Sequence, residues 1–386
     1  MNDFTPANGR AALQILLLSP YHSGSHQAWA EGYQAASQHS VQILSLPGQL
    51  WKWRMHGAAV TLARQFLASE LQPDVIVADD MLDLATFLAL TRRRTAHLPV
   101  MLYMHENQLT YPLPNDKTTG PMRRNMGVRE RQYVLLNWKA MLAADQIFFN
   151  SQHHLTEWFN ALPNFLKHYR DYKELKTIPQ LQEKSRVVPV GINLQRVSDD
   201  VVRPLNLDEP PLIIWNQRWE FDKNPERFFE ALYMMKAEKR PFRLALCGES
   251  FKQRPELFLE AQNRLADEII HSGYADSAVY TLLLKQAEIT ISTAFHEFFG
   301  ISILEALAAT TFPILPHRLS YPELIPAEFY PRCLYTHFDN LLTTLRWALT
   351  HRPEAQNLAV SLASHVMQYD WSYQAPQYDQ LLAEIA

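Results

Sequence analysis

Cysteine and glycine are scarce in this sequence of 386 residues. The two cysteines, Cys247 and Cys333, are too few for a disulfide framework or a zinc site of their own, and they indicate a reducing compartment. The 11 glycines and 24 prolines follow no repeat, which excludes a collagen-like chain. The apolar run Leu13–Leu18 is too short to span a membrane and lacks a signal-peptide cleavage pattern. We therefore expect a cytoplasmic protein with no membrane partner.

The composition is that of a well-packed globular protein, with 47% hydrophobic and 20% charged residues, and the length suggests two or three domains. The net charge of −4 conceals a difference between the halves. Residues 1–195 contain 19 Lys and Arg against 15 Asp and Glu, which gives +4, and residues 196–386 contain 17 against 25, which gives −8. This asymmetry indicates that the two halves have different partners.

Short apolar runs alternate with amphipathic stretches in both halves, and this alternation predicts parallel sheets covered by helices. The predicted strands are Leu13–Ser19, Val41–Leu46, Asp74–Asp79, Val100–His105, Gln146–Asn150, Arg186–Pro189, Pro211–Trp215, Phe242–Cys247, Ile289–Ser292 and Phe312–Leu315. A long helix is predicted over Pro255–His271. The predicted class is α/β, with two Rossmann-like, doubly wound domains over residues 1–200 and 201–365. Ligands of such domains bind at the carboxyl ends of strands, so the cleft between the domains is the expected site.

Polar residues follow the first and third predicted strands. Gly24 and Ser25 precede a helix, where a backbone can approach a phosphate, although a tight turn also explains the glycine. His22 and His26 are four residues apart, but no Glu follows His22 as in the zinc motif H-E-x-x-H, so we do not favour a metal. The acidic residues 79, 80 and 83 resemble a metal-carboxylate cluster, and we favour a helix N-cap for them.

The fourth strand ends in four consecutive polar residues, His105, Glu106, Asn107 and Gln108. They indicate either a ligand-binding cleft or a hydrogen-bonded structural turn. The segment that follows is basic, and its arginines include Arg123, Arg124, Arg129 and Arg131. With residues 92–94 and 52–54 they could bind the phosphates of a nucleic acid, although a solvated helix face is the alternative.

The second half contains the more specific pattern. Arg218 and Lys223 follow a strand, where two cations can hold a diphosphate. Glu297 and Glu305 lie eight residues apart on either side of Gly300, at the start of a helix. Carboxylates at this spacing can bind the hydroxyls of a sugar and of a ribose, and the helix N-terminus can bind phosphate. The pattern therefore predicts a sugar-nucleotide site.

This E-x7-E pair after an Arg/Lys pair resembles the retaining glycosyltransferases of the GT-B fold. Four longer segments resemble the tRNA-queuosine α-mannosyltransferase family. They are SPYHSGSHQAWAEG (19–32), MHENQLTYP (104–112), HEFFGISILEA (296–306) and RLSYPELIP (318–326). The resemblance covers almost the whole chain, and it implies that residues 366–386 form a last helix that returns to the first domain. Thr310 departs from the family, which usually has Gly there.

The resemblance implies transfer of mannose from GDP-mannose, with retention, to the cyclopentenediol of queuosine at the wobble position of tRNA-Asp. It implies no cofactor and no metal, because cations replace the metal, and it leaves the oligomeric state open. The implied catalytic residues are Arg218, Lys223, Glu297 and His105. The implied donor-binding residues are Gly24, Ser25, Gly248, Phe298, Phe299, Gly300, Ile301 and Glu305. The implied acceptor-binding residues are His22, His26, Glu106, Asn107, Gln108, Arg123, Arg124, Arg129 and Arg131.

Two other functions fit parts of the sequence. One is a GT-B glycosyltransferase that acts on a lipid or glycan acceptor, which would need an amphipathic basic and aromatic face on the first domain. Lys52, Trp53 and Arg54 supply only a fragment of such a face. The other is a non-catalytic protein that binds nucleotide sugars or RNA. We favour the enzyme over it, because both cations and both carboxylates of the pattern are present.

Overall fold

A computed structural model describes residues 12–112, 128–198, 205–248 and 256–386, without the side chains of residues 128 and 129. The chain forms two compact units, Met1–Ile192 with Trp371–Ala386, and Asn193–Asp370. The chain therefore passes between the units twice, at 192/193 and at 370/371. The sequence-based boundaries were 200/201 and 365/366.

The first unit contains a six-stranded sheet. Its strands are β1 (Gln14–His22), β2 (Ser40–Pro47), β3 (Val75–Asp79), β4 (Val100–Met104), β5 (Gln146–Phe149) and β6 (Ser185–Val187). Its helices are α1 (Gly24–Ala36), α2 (Trp51–Ala68), α3 (Leu84–Thr95), α4 (Val128–Ala143), α5 (Gln152–Lys167), α6 (Thr177–Glu183) and, at the end of the chain, α15 (Trp371–Ala383).

All strands of this sheet are parallel, in the order β2-β1-β3-β4-β5-β6. Every residue of β3 and β4 is buried, as expected for strands that have helices on both faces. The order changes direction between β1 and β3. Such a switch point opens a crevice at the carboxyl ends of the two strands, and ligands of α/β sheets bind there.

The second unit contains another six-stranded sheet. Its strands are β7 (Leu212–Trp215), β8 (Arg243–Cys247), β9 (Ile269–Gly273), β10 (Ile289–Ile291), β11 (Phe312–Pro316) and β12 (Leu334–Tyr335). Its helices are α7 (Pro225–Ala237), α8 (Glu256–Arg264), α9 (Ser277–Gln286), α10 (Ile301–Ala308), α11 (Tyr321–Leu324), α12 (Tyr330–Cys333), α13 (Phe338–Thr350) and α14 (Arg352–Val366).

This sheet is also parallel, in the order β12-β11-β10-β7-β8-β9, and its switch point lies between β7 and β10. The core consists of fully buried aliphatic strands with helix residues such as Phe228 and Leu304. The α/β class with two doubly wound sheets is confirmed by this topology.

The predicted helix Pro255–His271 is wrong in its second half. The helix α8 ends at Arg264, and Ile269–Gly273 form the edge strand β9, which pairs with β8. No residue of β9 is fully buried and Ile270 is 46% exposed, as expected for an edge strand, which mixes polar with apolar residues. Its pairing with β8 comes from the tertiary structure and leaves little local signal.

Thr310 adopts the left-handed conformation, with φ of 59°. Glycine has no steric penalty in this region, whereas a β-branched residue is strained there by roughly 1–3 kcal/mol. The turn between α10 and β11 thus keeps a glycine-like backbone without a glycine. Among the described residues, no helix has both the length and the apolar character needed to cross a membrane.

The last helix, α15, packs on α1 of the first unit. The Asp379 carboxylate is buried and accepts hydrogen bonds from the Tyr33 hydroxyl (2.8 Å), the Ser37 hydroxyl (2.6 Å) and the Gln38 N–H (2.8 Å). Trp371 lies so close to Gly32 that a Cβ on this glycine would be 2.1 Å from its indole nitrogen. The helix is therefore an integral part of the first unit.

Replacement of Asp379 by Ala should lower the free energy of unfolding by about 3 kcal/mol, because three donors lose a charged acceptor. Urea unfolding followed by circular dichroism measures the loss. Glu384→Ala on the same helix is the control, since its ion pair with Arg186 (3.4 Å) is exposed and contributes roughly 0.5 kcal/mol or less. Equal losses in the two variants would contradict this account.

Candidate active site

The first cluster of ionisable side chains lies at the switch point of the first sheet. His26 comes from the first turns of α1, directly after β1, and Asp79 is the last residue of β3. The Asp79 carboxylate is fully buried and lies 2.6 Å from Nδ1 of His26. Its other oxygen accepts a hydrogen bond from the Met81 N–H at 2.8 Å, which fixes the orientation of the carboxylate.

This pairing sets the charge of His26. Burial opposes the imidazolium form, but the adjacent Asp79 carboxylate, assisted by Asp80 and Glu106, raises the pKa of His26 to about 9. Although burial alone would raise the pKa of Asp79, the charge of His26 holds it below its usual value. At neutral pH the two groups therefore form an imidazolium–carboxylate pair, and His26 can act as a hydrogen-bond donor.

His105 lies beside this pair and has the opposite protonation. Its ring is 4.6 Å from the rings of both His26 and Trp29. Burial and the positive charge of His26 lower the pKa of His105 to about 3, so the ring is neutral. Its Nε2 atom is buried and makes no hydrogen bond with a described residue. A neutral imidazole whose nitrogen has no protein partner can form a hydrogen bond with a hydroxyl group.

Asp80 holds the backbone of His105, because its Oδ1 accepts a hydrogen bond from the His105 N–H at 2.9 Å. Burial and the charge of Asp79 raise the pKa of Asp80 well above its usual value. The N-cap interpretation is correct for Asp83, which accepts hydrogen bonds from Thr86 at the start of α3. It is wrong for Asp79 and Asp80, because both are buried in the histidine cluster.

Four other residues predicted to bind the acceptor form hydrogen bonds with neighbouring groups of the first unit. His22 contacts the Ser19 hydroxyl (3.0 Å) and the Glu31 carboxylate (3.2 Å). The Asn107 side chain is fully buried, and its oxygen accepts the N–H groups of residues 109 and 110, so it shapes its own turn. Gln108 donates to Glu106 at 2.9 Å. Direct contacts of these four residues with an acceptor remain predictions.

The two small residues predicted to bind the donor in this unit begin α1. Gly24 has φ of 52°, the left-handed region that favours glycine, and a Cβ there would meet nothing within 4 Å. Ser25 is exposed. The loop thus has the open backbone that the sequence predicts for this position.

The basic patch predicted from the sequence is only partly described. Arg131 donates a hydrogen bond to Nε2 of His168. Arg94 binds backbone carbonyl groups at the end of α2, including Phe66 at 2.7 Å, so it stabilises the fold. Arg123 and Arg124 lie outside the described residues, as does the side chain of Arg129.

Within the described part of the chain, His26, Asp79 and His105 form a group that could hold a metal ion, because their ligand atoms lie within 4.8 Å of one another. Imidazole and carboxylate are ligands of zinc and related ions. In the described structure Nδ1 of His26 instead contacts the Asp79 carboxylate at 2.6 Å, and a metal ion would have to replace the proton between them. The metal-independent reaction that the family resemblance implies stays a prediction.

The second cluster lies at the switch point of the second sheet, between the loops after β7 and β10. Nζ of Lys223 is 3.1 Å from the Glu297 carboxylate, 3.3 Å from the Asp222 carboxylate and 3.0 Å from the His296 carbonyl oxygen. Lys223 is only 6% exposed. Burial opposes its charge, but the carboxylates of Glu297 and Asp222 raise its pKa, and the lysine stays an ammonium ion.

Arg218 is more exposed than Lys223, with 46% of its side chain accessible. Its guanidinium lies 3.9 Å from the same Asp222 carboxylate that Lys223 contacts. The structure therefore brings the two predicted cations together around Asp222. Arg218 presents charge to solvent at this edge, whereas Lys223 fixes the position of Glu297.

The loop from Glu297 to α10 has the expected backbone. Gly300 precedes the helix with φ of 109°, and Ile301 is the first helical residue. Phe298 and Phe299 are each 5% exposed, and the Phe299 N–H points at the Glu297 carboxylate at 3.4 Å. Because both rings are buried, the two phenylalanines can offer a ligand mainly their backbone groups. Gly248, after β8, has φ of 152°, and a Cβ there would lie 2.3 Å from the Gln217 carbonyl oxygen.

Glu305 has two partners that the sequence did not reveal. One carboxylate oxygen is hydrogen-bonded to the Arg196 guanidinium, and the other accepts a hydrogen bond from the Tyr280 hydroxyl at 2.7 Å. The Asn216 amide donates to the same hydroxyl at 3.1 Å. Burial and the Glu305 charge raise the pKa of Tyr280 well above its usual value, so the hydroxyl remains a donor.

The two units of the chain match two known protein families. Residues 14–192 match the family described as tRNA-queuosine alpha-mannosyltransferase N-terminal, and residues 198–358 match glycosyl transferases group 1. The tRNA-queuosine alpha-mannosyltransferase of Drosophila melanogaster is 32% identical over 321 residues, which cover 81% of this chain and 82% of that protein.

Two solved structures show the likeness of fold. The sucrose-phosphate synthase of Thermosynechococcus elongatus has a TM-score of 0.71 and 14% identity, over 96% of this chain and 98% of that one. The catalytic domain of Arabidopsis thaliana starch synthase IV has a TM-score of 0.70 and 11% identity, over 97% and 99%. With the two parallel sheets, these likenesses confirm the α/β GT-B fold.

The charge states in the first cluster lead to a titration prediction. His26 should titrate near pH 9 and His105 should stay neutral down to about pH 3. Because the folded pKa of His26 exceeds its usual 6.5, its stabilising effect is complete below pH 6.5 and is lost as the pH rises to about 9. In Asp79→Asn, burial dominates and the pKa of His26 should fall below 6.5. Nitrogen-15 NMR of the imidazoles measures both values, and titration of His26 near 6.5 in both proteins would contradict the pairing.

Proposed function

Because this chain belongs to the tRNA-queuosine alpha-mannosyltransferase family, we propose that it transfers mannose from GDP-mannose to the cyclopentenediol of queuosine at the wobble position of tRNA-Asp. The chain is a glycosyltransferase by its family and its group 1 domain. The proposal that a sugar nucleotide is the donor rests on the Lys223–Glu297 ion pair at the switch point of the second sheet, next to the N-terminus of α10.

The second unit supplies the groups that binding of a nucleoside diphosphate sugar requires. The Arg218 guanidinium and the N-terminus of α10 at Gly300 favour negative charge, and they suit the diphosphate. Glu297 is ionised, since Lys223 lowers its pKa against the effect of burial, and an ionised carboxylate accepts hydrogen bonds from sugar hydroxyls. Glu305 suits the ribose diol.

In the proposed reaction, the bond from the sugar C1 to the β-phosphate oxygen breaks, and the leaving GDP takes the electron pair. The acceptor hydroxyl forms the new bond to C1 on the same face, and its proton passes to the departing phosphate oxygen. Arg218 and the helix N-terminus stabilise the charge that develops on the phosphate. No carboxylate nucleophile is needed for this retaining route, in contrast to retaining glycosidases.

The first unit would bind the acceptor. The His26 imidazolium and the neutral His105 ring are adjacent, so one can donate a hydrogen bond and the other can accept one. A vicinal diol offers both kinds of group. We propose that these two rings orient the reacting sugar and diol hydroxyls, and that the reaction needs no metal or cofactor.

Arg218→Ala and Glu297→Gln should each lower kcat by about 100-fold, because each removes a preorganised charge from the reacting centre. The assay follows mannose transfer from GDP-mannose to queuosine-containing tRNA by mass spectrometry of the nucleosides, with and without EDTA. Arg227→Ala is the matched control, since the Arg227 side chain is 54% exposed on α7, where it contacts the Glu230 carboxylate and the Phe338 ring.

The alternative functions and a metal-dependent reaction would each give a different outcome in the same assay. GDP release that requires a lipid extract and not tRNA would overturn the proposed acceptor. GDP-mannose binding without any transfer would favour a non-catalytic protein. Loss of transfer on treatment with EDTA would contradict the metal-independent reaction and point to His26, Asp79 and His105.

Tyr280→Phe should raise the KM for GDP-mannose about tenfold with little change in kcat, because Glu305 loses a donor that orients it towards the ribose. The variant should also lose part of the preference for GDP over 2′,3′-dideoxy-GDP as an inhibitor. Tyr233→Phe is the control, since its hydroxyl makes no hydrogen bond with a described residue. An unchanged preference in Tyr280→Phe would show that Tyr280 does not act through the ribose site.

A further inference from the structure

The first turn of α2 exposes large apolar side chains next to cations. Leu50 is 78% exposed, Trp53 is 62% exposed and Trp51 is 37% exposed. Leu50 also has φ of 51°, a left-handed conformation that is unfavourable for leucine. Exposed apolar side chains that adjoin one another are candidates for an interaction surface. We call residues 50–54 the aromatic edge.

The Trp53 indole lies against the backbone of its own helix. A Cβ on Gly57 would be 2.6 Å from Cε2 of this ring, so only glycine at this position lets the indole lie there. Glycine in a helix interior lowers helix stability by about 1 kcal/mol relative to alanine. One side of the Trp53 ring therefore packs against Gly57, and the rest of the ring is exposed to solvent, where a partner can contact it.

The charged residues of the aromatic edge, Lys52 and Arg54, are both cations. Nζ of Lys52 lies 5.5 Å from the centre of the Trp51 ring, and the Arg54 guanidinium is hydrogen-bonded to the Pro47 carbonyl oxygen at 3.1 Å. The sequence has no acidic residue between Glu31 and Glu70. Aromatic faces among cations are what unpaired nucleic acid requires, since bases stack on rings and phosphates pair with cations.

The aromatic edge is continuous with the histidine cluster of the same unit. The Trp51 ring is 5.4 Å from the Tyr133 ring, and Tyr133 packs in a small cluster on which Tyr21 also rests. The Tyr21 ring is in turn 6.1 Å from His26. These contacts connect the exposed rings with the side chains that we propose to bind the acceptor nucleoside.

We propose that the aromatic edge binds an unpaired nucleobase of the tRNA acceptor, with Trp53 as the stacking platform and Lys52 and Arg54 as phosphate-binding groups. This inference rests on the proposed function, which makes tRNA the acceptor. A membrane would need a longer apolar face, but Arg64 interrupts the exposed side of α2 between Val60 and Leu67.

Trp53→Ala should weaken binding of queuosine-containing tRNA by roughly tenfold or more, the usual effect of removing one base-stacking ring. Trp53→Phe should restore most of the affinity. Gly57→Ala should weaken binding in the same direction, because the new Cβ displaces the indole without removing it. Fluorescence anisotropy with labelled tRNA at fixed salt measures these affinities, and circular dichroism verifies that each variant is folded.

Two further comparisons make the test specific. Tyr373→Ala is the matched control, because Tyr373 is 59% exposed on α15 of the same unit but distant in sequence from the aromatic edge, and it should bind tRNA like the unaltered protein. Lys52→Gln and Arg54→Gln should each reduce the slope of log K against log salt by about one. A purely structural role would not change this slope.

Wild-type tRNA affinity retained in both Trp53→Ala and Gly57→Ala would overturn the inference. So would unchanged tRNA affinity with lost binding to vesicles of anionic phospholipid, which would identify a membrane surface. Mannose transfer by the unaltered protein is measured in parallel. If that transfer fails, the proposed function is wrong, whereas intact transfer with unaffected variants contradicts only the aromatic edge.

Discussion

The ammonium group of Lys223 is almost completely removed from water, and an unpaired charge in such a place would cost several kcal/mol. The arrangement of the second unit around its switch point depends on balancing this charge. Asp222 and Glu297 come from the loops after two different strands, and both are held by the same ammonium group. The same ammonium group therefore positions the Glu297 carboxylate, which we propose binds the sugar, and stabilises the two loops.

The first unit uses the same principle with other residues. There a buried carboxylate, Asp79, keeps the His26 imidazole charged, and burial together with that charge keeps the neighbouring His105 neutral. Parallel topology explains why both clusters arise where they do, since each lies where the strand order changes direction and two loops diverge. Both units thus present ionisable groups in defined protonation states at the edge where ligands of α/β sheets bind.

The sequence predicted what local patterns encode. Buried strands appear as apolar runs, and Lys223 and Glu297 each follow such a run, so their meeting at one edge could be anticipated. The partners of Glu305 could not, because Arg196 lies in a polar segment that resembles a linker and Tyr280 lies on a helix without a motif. The roles of Asp79 and Asp80 were also hidden, since acidic residues before a helix are typical of N-caps. Contacts between residues far apart in the sequence, such as Arg196 with Glu305 and His26 with Asp79, determine the roles of these side chains.

The contact of α15 with α1 has a consequence for synthesis of the chain. Asp379 and Trp371 complete the packing of helix α1 and its neighbours, yet they follow the whole second unit in the chain. A ribosome releases the amino-terminal part of a chain first, and domains generally fold as they emerge. Here the first unit cannot bury Tyr33 and Trp29 beneath α15 until the whole second unit has been translated. The amino-terminal unit is thus the last to be completed, and it must remain unaggregated while the whole second unit is made.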